Sequence, residues 1–330
     1  MVCRTLDHEP TPVAELAALG DQLDKAYRQT GEHLPSNTAV RIEEQSGRPT
    51  VVLTALDRLA ESPRLIALRE QVAALLPRVD LPEILLEVAA WTGFASEFSH
   101  ISQNDGRIDD LSTSICAVLV AEACNIGLEP LVRSHVRALT RGRLSWVAQN
   151  YLRADTIGQA NARLVDYQAT ITLAQAWGGG EVASCDGLRF VVPIRTVNAG
   201  PNPHYFGVGN GVTYINYTSD QFTGFHAIIV PGTLRDSLFI LDGLLEQETG
   251  LRPTELMTDT AGYSDMIFGL FRLLGYQFSP RLADIGEARF WRLDSQANYG
   301  VLNGVAHYRV NLDLIANSYG AAPGHVTPAR

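Results

Sequence analysis

The hydrophobic pattern changes period at Gly178-Gly179-Gly180, and this break constrains the fold of the 330-residue chain more than any other feature. Before it, apolar side chains recur at helical spacing: Pro12 to Tyr27 sets Val13, Leu16, Leu19, Leu23 and Tyr27 on one stripe. Ser62-Pro63 reads as a cap followed by proline at the first helical position, predicting helix through Leu76. Leu81-Pro82-Glu83 starts another helix toward Thr92-Gly93, and Asp109-Asp110 opens a strongly apolar one closed by Gly127. Helical patterns then cover Thr140 to Arg153 and Thr156 to Trp177, with Leu131 to Ala138 a candidate for one more. One interruption reads differently. Ala39 to Leu53 has two short β-rich runs around Ser46-Gly47-Arg48-Pro49, the pattern of a hairpin.

After the glycines the pattern is that of strands. Glu181 to Pro193, Gly211 to Tyr217 and Gly224 to Pro231 are β-rich, with Asp186-Gly187 interrupting the first and Ser219-Asp220 turning between the others. A helix (Arg235 to Glu248), a strand (Glu255 to Thr258), a helix (Tyr263 to Leu274) and a strand (Tyr276 to Leu282) follow. The order β-β-β-α-β-α-β is that of an RNase H-like core, a mixed five-stranded sheet with helices on its faces. The expected class is therefore α+β. A mostly helical region (1–177) precedes an RNase H-like core (178–316); a final stretch (317–330) follows, of which Ala321 to Arg330 reads as an unstructured tail.

Composition narrows the setting. With 46% hydrophobic and 19% charged residues the chain has the make-up of a globular protein. No run approaches the roughly 18–20 apolar residues of a membrane span, and Met1-Val2-Cys3-Arg4 starts no signal sequence. A cytoplasmic protein without membrane partners is expected. Cys3, Cys116, Cys124 and Cys185 form no CxxC pair, and Cys116 and Cys124 read as small hydrophobes in a helix. The net charge of −10 opposes a generally basic nucleic-acid binder, although such binding needs only a local basic stripe.

Two carboxylates stand where chemistry is expected. In an RNase H-like sheet the first and fourth strands are neighbours; Asp186 lies on the first and Asp259 directly follows the fourth. They would converge at one edge, as two-metal phosphoryl chemistry requires, with hard oxygen ligands holding Mg²⁺ ions about 3.5–4 Å apart. From spacing alone the alternatives stay open: Asp-Gly is a common turn, and Asp259 in Thr-Asp-Thr is equally an N-cap.

Longer motifs add a resemblance. GGGEVASCDGLRF (178–190), NAGPNPHYFG (198–207), YTSDQFTGFH (217–226), TLRDSLFILDGLL (233–245) and MTDTAGYSDMIFGLFRLLGYQFSPRLADIGEARFW (257–291) resemble the catalytic region of Tn3-family transposases. Upstream, LPRVDLPEILLEVAAWTGF (76–94), AVLVAEACNIGLEPL (117–131) and LTRGRLSWVAQNYLRADT (139–156) resemble the helical region before it. The resemblance implies a DDE enzyme that cuts transposon ends and joins their 3′-hydroxyls to target DNA, with Mg²⁺ (or Mn²⁺) and commonly as a homo-oligomer. Asp186 and Asp259 match the first and second catalytic aspartates. The family's third acid, a glutamate, lies well downstream of the second. The chain stops before that point and lacks the large inverted-repeat-recognising module at its start. It therefore reads as a piece truncated at both ends, before the C-terminal helix of the core, and inactive alone.

Arg133, His135, Arg137, Arg141 and Arg143 form the densest basic stretch, a candidate DNA-backbone contact or equally a solvated face. Arg189, Arg195, Arg235 and Arg281 lie near the core, with Arg281 at a strand end. His226, with Asp220 on the neighbouring hairpin, is a candidate neighbour of the active site. Asp284 and Glu287 are the acids that could stand in for the third ligand, which would make the chain a metal-dependent nuclease. The alternative to an enzyme is a non-catalytic DNA-binding or dimerising regulator of intact transposase.

Overall fold

The structure is a computed structural model that describes residues 12–45, 47–54, 60–102, 108–194, 196–232, 236–259, 264–281 and 285–318. Helix α1 (Pro12–His33) is followed by the hairpin β1 (Val40–Gln45) and β2 (Arg48–Leu53). Then come α2 (Pro63–Leu75), α3 (Leu81–Thr92), α4 (Leu111–Ala123), α5 (Arg141–Asn150) and α6 (Ala154–Ala169). The sheet region contains β3 (Val182–Val192), β4 (Gly200–Pro201), β5 (Asn210–Ser219), β6 (Gly224–Pro231), α7 (Asp242–Glu246), β7 (Glu255–Thr258), α8 (Asp265–Leu273) and β8 (Gln277–Pro280). The short strands β9 (Trp291–Arg292) and β10 (Tyr308–Arg309) and helix α9 (Leu312–Ser318) follow. No helix among the described residues is long and apolar enough to cross a membrane.

Two compact units divide the chain differently from the change of pattern at Gly178. One comprises Met1–Glu61, Arg272–Gly275 and Leu282–Arg330; the other comprises Ser62–Phe271 and Tyr276–Arg281. In the first, Tyr27 stacks on Tyr299 with ring centroids 4.6 Å apart, over a core of Val51, Leu302, Val305 and Ala306. This core joins segments far apart in sequence, which local pattern does not reveal. In the second, α3 to α6 pack around Phe94, Ile115, Val118, Leu144 and Val147.

Local chemistry sets the helix ends. Ser62 Oγ accepts from Leu65 N–H and Pro63 takes the first helical position of α2. Gly93 closes α3 in the left-handed region at φ 70°. Leu131 to Ala138, in contrast, is not a helix but two short 3₁₀ turns, Glu129–Leu131 and Arg137–Leu139. Arg133 N–H bonds Leu139 O and Ser114 Oγ donates to Ala138 O, so tertiary partners take the groups a helix would use. The expected helix Arg235 to Glu248 is likewise split, into Asp236–Phe239 and α7, with Arg235 itself outside the described residues.

The mixed sheet runs β4-β5-β3-β7-β8, with β6 pairing along the same edge of β5 as β4, on the side away from β3. β3 pairs antiparallel with β5 and parallel with β7; β7 pairs parallel with β8. One face is buried: Ala183 and Cys185 on β3, Ile215 and Tyr217 on β5, Leu256 and Thr258 on β7, and Phe278 on β8. Tyr217 is fully enclosed, and its hydroxyl donates to the carbonyls of Phe239 and Ile240, both at 3.0 Å. That bond occupies the carbonyls where the expected helix breaks. Gly243 lies flat on the Tyr217 ring, leaving no room for a β-carbon. Phe271 of α8 packs on Phe278 at 4.7 Å.

Two substitutions test this face. Gly243→Ala should destabilise by about 2 kcal/mol or more through overpacking, and Tyr217→Phe by about 1–2 kcal/mol through the lost hydrogen bonds. Chemical denaturation of each variant beside the parent chain measures both.

Candidate active site

The glycine run that marks the start of the sheet region has a steric cause. A β-carbon on Gly178 would collide with the Asp220 side chain, and Gly180 sits at φ 81° with its N–H donating to Asp220 Oδ1 at 2.9 Å. Gln221 Nε2 donates to Gly178 O at 2.9 Å. Asp220 therefore fixes the entry into β3 from the β5–β6 turn.

From that entry, strand alternation decides where each carboxylate points. Along β3, Ala183 and Cys185 are buried while Ser184 and Asp186 are exposed. Along β7, Leu256 and Thr258 are buried while Met257 is exposed, and Asp259, the next residue, is exposed too. The parallel register pairs Ala183 with Leu256, Ser184 with Met257 and Cys185 with Thr258. Continued one step beyond its last pair, this register would set Asp186 beside Asp259, both exposed, on strands about 4.8 Å apart. On its other side β7 stays paired with β8 up to this point, where Arg281 N–H donates to Thr258 O at 2.8 Å. Burial pushes the Cys185 thiol up to about 12, and the negative charges of Asp259 and Asp186 add to the shift. Cys185 therefore stays a neutral thiol.

The sheet also brings other groups to the carboxylates. The register Thr258↔Pro280 sets Arg281 next in line beside Asp259. Asn216, not singled out in the sequence, is the cross-strand partner of Asp186 and donates from Nδ2 to Thr218 Oγ1 at 3.1 Å. An asparagine in a β-rich run carries no local signal; only the pairing identifies it. One oxygen of Asp186 accepts the Gly187 N–H at 2.8 Å. As metal ligands the two aspartates supply hard oxygen donors, which suits Mg²⁺ bound through one or two carboxylates plus water and phosphate. Among the described residues no cluster of three or more His, Cys, Asp or Glu is arranged to hold a metal.

His226 is not brought to this face. It pairs with Tyr217 and shares the buried side of the sheet, its ring 5.8 Å from the tyrosine ring, whereas Asp186 points the other way. A bulge at Tyr217/Thr218 inserts Phe225 before it, a shift of register that the sequence does not announce. Burial lowers the His226 pKa, with Glu246 and Glu248 opposing, and its Nε2 has no partner among the described residues.

The basic stretch is mostly engaged within its own unit. Arg141 pairs with Glu129. Arg143 donates to Ser114 Oγ and to Asp109 O and lies over the Trp146 ring. Arg133 donates to the carbonyls of Pro130 and Val132. Arg137 is the most open, 89% exposed and 3.8 Å from Asp109. Arg195, Arg235 and Asp284 lie outside the described residues, as does the side chain of Glu287.

A family profile described as the Tn3 transposase DDE domain matches residues 83–321. The chain belongs to the Tn3 transposase DDE family. Its relatives include the transposase for transposon gamma-delta of Escherichia coli (strain K12), 56% identical over 92% of this chain and 30% of that protein. The transposase for transposon Tn4556 of Streptomyces fradiae is 45% identical over 91% of this chain and 33% of that protein. The transposase for transposon Tn1546 of Enterococcus faecium is 36% identical over 74% and 25%. This Tn3-family DDE chain therefore spans about a third or less of the length of the curated relatives it matches. The transposase character of the family is carried by sequence; the carboxylate geometry comes from the sheet.

The half-buried histidine gives a pH test. Its folded pKa lies below the unfolded value, so the unfolded chain binds more protons as pH falls below about 6.5. Stability should be full above that pH and decline as pH falls toward the folded pKa. His226→Gln should flatten this decline between pH 7 and 5 in thermal melts; an unchanged decline would show that His226 is not its source.

Proposed function

We propose that the exposed face bearing Asp186 and Asp259 is the metal-binding part of a DDE active site that works on DNA ends. The observation that carries this reading is the β3–β7 register, which turns both aspartates to one face while their neighbours Cys185 and Thr258 are buried. Support also comes from the strand order. Counted from β3, the five long strands run third-second-first-fourth-fifth, antiparallel then parallel, the arrangement of an RNase H-like sheet.

Two carboxylates on adjacent strands repel one another, and a divalent cation between them removes that cost. When bound, Mg²⁺ would supply Lewis acidity toward the scissile phosphate and toward the attacking oxygen. The chain's own part is to hold those oxygens in line and to position the phosphate. Arg281, one strand step from Asp259, is placed to contact a DNA backbone phosphate, and Arg137 offers an open guanidinium on the helical part of the same unit. Cleavage at the 3′ ends of a transposon and strand transfer into target DNA, by a homo-oligomer that pairs the two inverted repeats, are the reactions we assign to the site in its full setting. Two-metal chemistry takes a further acidic ligand, which must reach this same face, and the pair by itself should bind metal without transposing. Leu188, Ile229 and Met257 leave exposed apolar surface there on which such an element can pack.

Calorimetric titration of the chain with Mg²⁺ and with Mn²⁺ tests the assignment. Weak millimolar binding is expected for the parent. An Asp186→Asn/Asp259→Asn double variant should lose it, and each single variant should weaken it at least about tenfold. Equal binding by parent and double variant would remove the pair as the metal site.

A further inference from the structure

The unit formed by the N-terminal hairpin and residues 285–318 holds a groove of about 990 Å³ that the carboxylate chemistry does not use. Its walls are Arg48 and Val51 of β2, Phe290, Val305, His307 and Tyr308. The described residues that line it include no carboxylate, in a chain whose net charge is −10. At one rim the parallel pair β9–β10 sets Tyr308 directly beside Trp291. Their rings lie 5.3 Å apart at 42°, and the two residues are each 37% exposed. His307 adds a third ring 4.5 Å from Tyr308. The exposed Arg289 guanidinium stands 5.8 Å from the Tyr308 ring centre.

Open aromatic faces, an arginine above one of them, a second arginine in the wall and no acid among the described lining residues are the elements of a platform for nucleobases. Base–aromatic stacking is indifferent to sequence, and the guanidinium groups suit the flanking phosphates. A duplex keeps its bases stacked on each other and offers no free base face. We propose that this groove binds an unpaired stretch of DNA, with a base stacked on Tyr308 and Trp291 and its phosphates held by Arg289 and Arg48. The inference rests on the reading of this chain as one that handles DNA, but not on the aspartate pair. A strand that has been opened or cut at a transposon end is the chemical class of ligand it fits.

The inner side of this unit supports the platform. Tyr27 Oη donates to Trp291 O at 2.9 Å, and Arg292 is turned away from the groove, donating to Ser295 O and Asn303 Oδ1 and lying over the Tyr299 ring. Strand β9 is thereby fixed from behind while Trp291 faces outward beside Tyr308.

The test uses the full chain, a chelator to remove divalent metal, a fluorescent twelve-nucleotide poly-dT strand and a duplex of the same length. Anisotropy should show single-strand binding that weakens about tenfold in Tyr308→Ala and in Arg289→Ala but persists in Tyr308→Phe, which keeps the ring. Quenching of tryptophan fluorescence by the strand should be lost in Trp291→Phe, with Trp91, Trp146 and Trp177 still emitting. Unchanged single-strand affinity in folded Tyr308→Ala and Arg289→Ala overturns the groove, even if the duplex binds. Failure of both single strand and duplex to bind at low salt overturns the groove together with the DNA-handling reading.

Discussion

The parallel pairing of β3 with β7 is the constraint on which the carboxylate face depends. It spans four residue pairs, Val182↔Glu255 to Cys185↔Thr258, yet it decides the direction of both aspartates. Strands alternate their side chains with a period of two, so a slip of one residue would turn Asp259 into the core and Thr258 outward. Burying an unpaired carboxylate costs several kcal/mol, whereas the observed register buries Ala183, Cys185, Leu256 and Thr258. Hydrophobic burial and the placement of the acids are therefore one choice, made by the same alternation.

The buried side of the sheet enforces that choice from β5. Tyr217 lies opposite Cys185, and its hydroxyl bonds two carbonyls of the segment before α7. Gly243 brings α7 close enough to cover the ring. The Cys185 thiol, raised by burial and by both aspartates, stays protonated and serves packing rather than chemistry. The carboxylates on one side of the sheet are thus held by apolar packing on the other, and the two sides share residues adjacent in sequence.

Much of this was legible before any coordinates, where local signals are strong. Gly224 to Pro231 and Glu255 to Thr258 form the strands their patterns predict, and α3 starts and stops at its proline and glycine. What the sequence hides is non-local. The bulge at Phe225 sets His226, a candidate neighbour of the active site, on the side of Tyr217, because one extra residue exchanges the faces of a strand. Leu131 to Ala138 has helical spacing, but Ser114 and Leu139 capture its backbone groups. Arg141 and Arg143 read as a basic surface, yet Glu129 and Ser114 engage them. Asn216 beside Asp186, and Tyr308 beside Trp291, became visible only through strand pairing.

The central claim is that Asp186 and Asp259 face one another across a shared surface and hold one divalent cation between them. Diffraction from crystals grown with Mn²⁺, recorded where manganese scatters anomalously, tests it most directly. The account predicts an anomalous peak within coordination distance, about 2.0–2.3 Å, of oxygens from both side chains. A peak ligated elsewhere, or aspartates turned to opposite faces of the sheet, would contradict it.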